Sequence, residues 1–337
     1  MSSSPASSGS PAPGAPAGPA SPTPAGGPNS PGGTLTVFRL ATLFTLGAVV
    51  MGSLVCATES GLTCPTWPGC YVGQVHPHAD INPWIEFTHR VVSVLSGPLI
   101  LATAVLGLRR PRQERLVRYL PWLTLVGALA AAVFGRQVVL YGLPPVLGML
   151  DLGLSLVAMI AITTATVALS RTPYAHAPSR VSHLAWAGVG TLLAMHVLGI
   201  LTAGNGSYTR CMGWPIWRII DSDQAAGLQG VRIGLAAVAT LLIFGSAWLA
   251  WGRTDLRPLA ATLVGLWVVE LAVGLAMGGQ RLSMAGAAVY SAAAVLIVFT
   301  MALLAARSAI ERVVPTGAAY YDEDSESWMV QRVAGRR

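Results

Sequence analysis

The sequence predicts an all-α polytopic membrane protein of eight transmembrane helices, arranged as two pseudo-repeated four-helix bundles. Three observations carry this expectation. The 337 residues are 53% hydrophobic and only 10% charged, whereas soluble domains carry roughly 25% charged residues. From Leu35 onward the chain runs in apolar stretches of roughly 18–27 residues, each long enough to cross a hydrocarbon core of about 30 Å as a helix. A Cys-x-x-Trp-Pro signature also occurs twice, at Cys64–Pro68 and Cys211–Pro215, each time after the first apolar stretch of a set of four.

Residues 1–34 are almost all Ser, Pro, Ala and Gly. Such a segment buries too little apolar area to offset the entropy of ordering, so a disordered arm is expected, and it is neither basic nor apolar enough for a signal peptide. Four spans follow, at about 35–56, 84–108, 117–135 and 145–170, making an N-terminal half over 35–170. Four more, at about 182–204, 227–252, 257–278 and 284–307, make a C-terminal half over 182–308. Gly135–Pro145 enters the fourth span as Gly278–Gly286 enters the eighth, which extends the repeat.

Basic residues cluster in alternate connections: Arg109, Arg110, Arg112, Arg115 and Arg118; Arg171 and Arg180; Arg253 and Arg257. By the positive-inside rule these loops and both termini are cytoplasmic, in the cell membrane, and the loops at 57–83, 136–144, 205–226 and 279–283 lie outside with the cysteines. Arg136, Arg210, Arg218 and Arg281 fall on the outer side, but the cytoplasmic excess is larger. The net charge of +7 thus reflects membrane topology, and its partner is lipid. No nucleic-acid motif is present. The tail at 309–337, with Asp322, Glu323, Asp324 and Glu326, reads as solvated.

Among fourteen acidic residues, Glu86, Asp151 and Glu270 fall within or at the ends of predicted spans. An ionisable group there is costly, which makes each a functional candidate. For Glu86 the other reading is an interfacial residue in contact with water. For Asp151 and Glu270 it is a helix-packing hydrogen bond or a buried ion pair. His89 lies one helical turn after Glu86 on the same face, a placement suited to a haem or metal ligand as well as to a structural hydrogen bond. His196, inside the fifth span, is either a helix–helix hydrogen-bonding residue or a haem contact. His76 and His78 form a His-x-His pair in a loop, where solvation is the plainer reading, and His176 and His183 lie on the cytoplasmic side.

Cys64 and Cys70, six positions apart, close either a structural disulfide or a redox-active pair. Cys211 lacks the equivalent partner, because Trp217 stands there. Cys56 is either a packed small residue or an alternative partner. The sequence has no haem-attachment Cys-x-x-Cys-His, phosphate loop, zincin motif or serine-hydrolase elbow, which removes most soluble enzyme classes.

Three segments together resemble the haem A synthase family: Ser60-Gly61-Leu62-Thr63-Cys64-Pro65-Thr66-Trp67-Pro68-Gly69-Cys70, then Ile85-Glu86-Phe87-Thr88-His89-Arg90, then Tyr141-Gly142-Leu143-Pro144-Pro145. The likeness spans about residues 35–308. It implies eight helices in two similar halves, a haem site in each, and oxidation of a methyl group of haem O to the formyl group of haem A, a step that supplies cytochrome oxidase. The implied partners are haem O, haem O synthase and cytochrome oxidase assembly factors. Glu86 matches the family's catalytic Glu, His89 one of its four axial ligands, and Cys64 and Cys70 its loop pair.

At the other three ligand positions this sequence departs. Asp151 stands at the helix-four position, Val231-Arg232 replaces the helix-six His-Arg, and Tyr290 or its neighbour takes the helix-eight place. Glu270 stands where a polar residue, commonly Gln, is expected. The expected ligand set is therefore His89, with Asp151, Tyr290 as a phenolate, and His196 as substitutes. A haem b of the usual bis-His form is not expected in the second half. Two further readings stand beside the enzymatic one: a non-catalytic relative that binds or delivers haem or assists oxidase assembly, and a membrane thiol-redox protein using Cys64 and Cys70.

Overall fold

The computed structural model describes residues 31–141, 144–202, 211–216, 226–276, 283–313, 319–322 and 327–330. Its elements in chain order are α1 (Pro31–Ala57), α2 (Ile81–Leu108), α3 (Arg115–Tyr141), α4 (Pro145–Ser170), β1 (Tyr174–His176), α5 (Arg180–Thr202), α6 (Ala226–Trp251), α7 (Arg257–Ala276), α8 (Met284–Ala309), β2 (Ile310–Arg312), β3 (Ala319–Asp322) and β4 (Ser327–Val330). Eight helices among the described residues are long and apolar enough to cross a membrane. Most of the expected N-terminal arm lies outside the described residues; its last four positions already belong to α1. Most of the Gly278–Gly286 match and the Gly142-Leu143 pair also lie outside the described residues.

Two helix ends differ from the sequence expectation. α2 begins at Ile81 because Pro83 falls in its first turn, where a missing backbone N–H costs nothing. α3 runs on through Gly135-Arg136-Gln137 to Tyr141. In an apolar medium an unwound backbone leaves its polar groups unsatisfied, so a few polar side chains do not stop a helix.

α1 packs on α2 and α4, and α3 on α2 and α4; α5, α6, α7 and α8 repeat this ring. The rings meet where α1 touches α8 and where α4 touches α5 and α8. Between helices in lipid, close approach through small residues replaces the hydrophobic drive of water. At Gly107 of α2 a Cβ would stand 2.5 Å from the carbonyl oxygen of Val117 on α3. At Gly127 of α3 it would lie 3.3 Å from the Leu154 carbonyl oxygen of α4. Large apolar side chains such as Leu241, Val126 and Trp248 point outward, as expected of a lipid-facing surface.

The alternating helix directions gather Arg109 to Arg118, Arg171, Arg253 and Arg257 at one end of the bundle and the cysteines at the other. Exposed Tyr119, Trp122, Trp248 and Trp251 lie toward the basic end, and Trp84 and Tyr141 toward the cysteine end. Such rings of amphipathic aromatics mark the two membrane interfaces.

At the basic end the linker between the rings is not a free loop. β1 pairs antiparallel with β2, Ala175 opposite Glu311. Arg171 donates to the carbonyls of Arg307, at 2.6 Å, and Ile310, satisfying acceptors that the end of α8 leaves open. The first residues after α8 therefore differ from the expected solvated tail: Ile310 is buried, and β2 ties them to the inter-ring linker.

Candidate functional site

Glu86 and Arg90 are one turn apart on α2 and form an ion pair. α2 turns Trp84 outward and Glu86 inward, leaving Glu86 only 2% exposed. Its Oε2 accepts the backbone N–H of Cys64 at 2.9 Å and the Thr63 hydroxyl at 3.3 Å. Arg90 donates to the carbonyl oxygens of Cys64, Thr66 and Gly69 at 2.7, 2.6 and 2.8 Å. The pair thus grips the backbone of the 64–70 loop from beneath. A buried carboxylate and guanidinium are tolerable because each is matched by charge and by hydrogen bonds.

The loop is closed by a Cys64–Cys70 disulfide, with Cα atoms 4.1 Å apart and both residues buried. Gly69 permits the closure, since a Cβ there would lie 3.0 Å from the Gln74 carbonyl oxygen. Trp67, at the loop tip, remains 48% exposed. The loop therefore sits on the outside of its half, anchored along one edge.

His89 follows Glu86 by one turn, but its ring packs against α1. A Cβ at Gly52 would stand 3.0 Å from the ring's Cε1, so glycine makes the seat. Ser93 Oγ lies 3.5 Å from the imidazole's Nδ1. Asp151, on α4, is half-buried against α3, both carboxylate oxygens 3.9 Å from where Gly135 would carry a Cβ. Imidazole and carboxylate thus come from the diagonal helices α2 and α4, each seated at a glycine.

The remaining candidates gather in the second ring, apart from Glu86 and His89. Tyr290 is fully buried and its hydroxyl donates to the Trp214 carbonyl. Glu270 accepts the Trp214 N–H at 3.0 Å. His196 is fully buried, and neither ring nitrogen has a hydrogen-bond partner among the described residues. His76 is within 3.1 Å of the Gln74 amide and His78 stacks on Tyr71, so that loop pair is occupied locally.

Sequence reasoning missed two features. Arg90 stood in the recognised motif without a role, and Arg232 was read only as part of a lost His-Arg pair, although an arginine in an apolar run was itself a signal. Cys56, offered by the sequence as an alternative partner, is in fact the partner of Cys211: at the end of α1 it forms a disulfide with Cys211, the Cα atoms 5.4 Å apart and the residues 155 positions apart in the chain. Spacing gives no hint of a pairing that crosses from one ring to the other.

Eight membrane helices in two matching rings, with a disulfide-closed loop clamped over a Glu-x-x-His-Arg helix, define a class of polytopic membrane proteins. The family described as COX15-CtaA, cytochrome oxidase assembly protein, matches residues 36–301, and the chain belongs to it. It is similar to the heme A synthase of Shewanella oneidensis, 24% identical over 312 residues, covering 79% of this chain and 93% of that protein. To the heme A synthase of Symbiobacterium thermophilum it is 31% identical over 247 residues, 67% of this chain and 79% of that protein. To that of an Exiguobacterium species it is 26% identical over 245 residues, 68% and 80% respectively.

Proposed function

We propose that this protein is a haem A synthase-like oxidoreductase, converting a methyl group of haem O to the formyl group of haem A for cytochrome oxidase biogenesis. The observation that carries the reading is the first ring's arrangement: a buried Glu86–Arg90 pair beneath the disulfide loop, with His89 one turn along the same helix. Family membership and similarity to heme A synthases, over 79% of this chain for the Shewanella protein, support it.

The substrate's donor set suits the first ring. His89 from α2 would hold the haem O iron, and Asp151 from α4 would face it as oxygen donor or hold a water. When bound, the haem supplies the redox chemistry. The net change is R–CH3 + H2O → R–CHO + 4 H+ + 4 e−, with the electrons leaving to an external acceptor of the quinone or dioxygen class. Glu86 takes up a proton as the methyl carbon is oxidised, and Arg90 compensates the change of charge beside it. Cys64 and Cys70, both buried in their disulfide, staple the loop that covers Glu86, which favours a structural over a thiol-redox role. The cysteine loops lie on the outer face of the plasma membrane and the basic end in the cytoplasm.

The test is expression in a membrane that supplies haem O, followed by chromatography of extracted haems. Haem A is expected from the unmodified chain and not from Glu86→Ala. Haem O retained unconverted by the unmodified protein would support a carrier or assembly role instead. Haem A formed at the ordinary level by Glu86→Ala would remove Glu86 from the chemistry.

A further inference from the structure

Residues 211–216 are the second ring's counterpart of the 64–70 loop, but they occupy a different place. All six are buried, and Trp214 is 7% exposed where its counterpart Trp67 is 48% exposed. Four helices hold the segment. Ser53 of α1 and Ser291 of α8 donate to the Cys211 carbonyl at 2.9 and 3.2 Å. Arg232 of α6 donates to the Gly213 carbonyl at 3.1 Å while its Nε reaches the Met195 carbonyl of α5 at 3.2 Å. Glu270 of α7 and Tyr290 of α8 take the N–H and carbonyl of Trp214.

The apolar side chains fill the remaining space. Ile216 reaches so far between α7 and α8 that its Cδ1 lies 2.1 Å from where a Cβ at Gly274 would stand, with the Tyr290 ring 3.2 Å from the same point. The Trp214 ring meets Trp267 edge to face at 6.5 Å. Met212 is fully buried with φ of 81°, a left-handed conformation that a residue with a side chain adopts only when its surroundings impose it. The Cys56–Cys211 disulfide fastens the segment to the other ring.

We infer that residues 211–216 are a built-in plug that occupies the second ring, so that this half takes no haem and the chain is a one-haem protein. Tyr290, at the helix-eight ligand position, together with Arg232 and Glu270 explains the exchange. Arg232 and Tyr290 present one strong donor each, and Glu270 one acceptor, to a single stretch of backbone. A buried peptide segment needs its N–H and carbonyl groups satisfied in this way, and a haem does not. Val231, at the position of the missing ligand, is exposed. The inference rests on the family reading for the comparison with haem, but the plug itself does not depend on activity.

The test uses the full chain in native membranes, labelled with a membrane-permeant maleimide as Ile216→Cys and, separately, as Trp67→Cys. Ile216→Cys is expected to stay at least tenfold less reactive than Trp67→Cys. Comparable labelling of both would overturn the plug. In parallel, haem per purified chain is measured by absorbance of its pyridine complex. At most one haem is expected, lost in His89→Ala and retained in His196→Ala. Two haems, or a haem that survives His89→Ala and disappears with His196→Ala, would place a cofactor in the second ring and overturn the inference. A protein without haem but with a protected Ile216→Cys would sink the substrate reading while leaving the plug standing.

Discussion

Arg90→Met is expected to release the 64–70 loop from α2 while leaving the helices assembled. The guanidinium makes three short bonds to loop carbonyls, at 2.6, 2.7 and 2.8 Å, in addition to its ion pair with Glu86. Hydrogen bonds to a charged group contribute about 1.5–3 kcal/mol each, and removing one partner of a buried pair costs about 3–5 kcal/mol. These contributions share one side chain and do not add, so the loss is bounded near the larger figure. At about 1.4 kcal/mol per tenfold, loop opening should rise by roughly two to three and a half powers of ten. Methionine keeps much of the aliphatic stem's packing, which isolates the polar loss. The assay is amide hydrogen exchange of a peptide covering 58–75 in detergent, disulfides intact, with the Cys64 amide as the informative site because Glu86 accepts it. Exchange within threefold of the unmodified chain would refute the claim that Arg90 holds the loop.

Other expectations follow from the same contacts. Gly107→Ala should lower the thermal midpoint by an amount equivalent to about 1–3 kcal/mol, because the new methyl meets the backbone carbonyl of Val117 rather than a movable side chain; Gly97→Ala, in open space on the same helix, is the control that should be silent. Cys56→Ser with Cys211→Ser should cost about 2–4 kcal/mol of stability by freeing two rings that are otherwise cross-linked, read as a lower midpoint than that of the unmodified chain without reducing agent. Tyr174→Phe should cost about 0.5–2 kcal/mol, since its hydroxyl accepts the Leu116 N–H at the start of α3; an unchanged midpoint would show that this acceptor is dispensable.

The eight helices were legible in the sequence because a membrane imposes one strong rule: a span must be long, apolar and internally hydrogen-bonded. That rule located α1 to α8 to within a few residues at most ends; the largest overrun is in α3, where polar residues such as Arg136 and Gln137 proved compatible with an unbroken helix. The Cys64–Cys70 ring was legible for a similar reason, since six residues bring two cysteines within reach without help from the rest of the fold. Glu86 and His89 were marked by their motif, and Glu86 also by the cost of charge in an apolar run.

Only the tertiary structure decided what those charges touch. Arg90 and Glu86 hold loop backbone, and Arg232, Glu270 and Tyr290, scattered over three helices, converge on Gly213 and Trp214. The Cys56–Cys211 bridge, likewise, joins rings whose contact no local pattern records. Hydropathy is a property of each segment read alone, so it fixes the spans. A buried backbone donor or acceptor has to be matched by whatever group the packing brings near, so the partner is chosen by the meeting of helices distant in sequence.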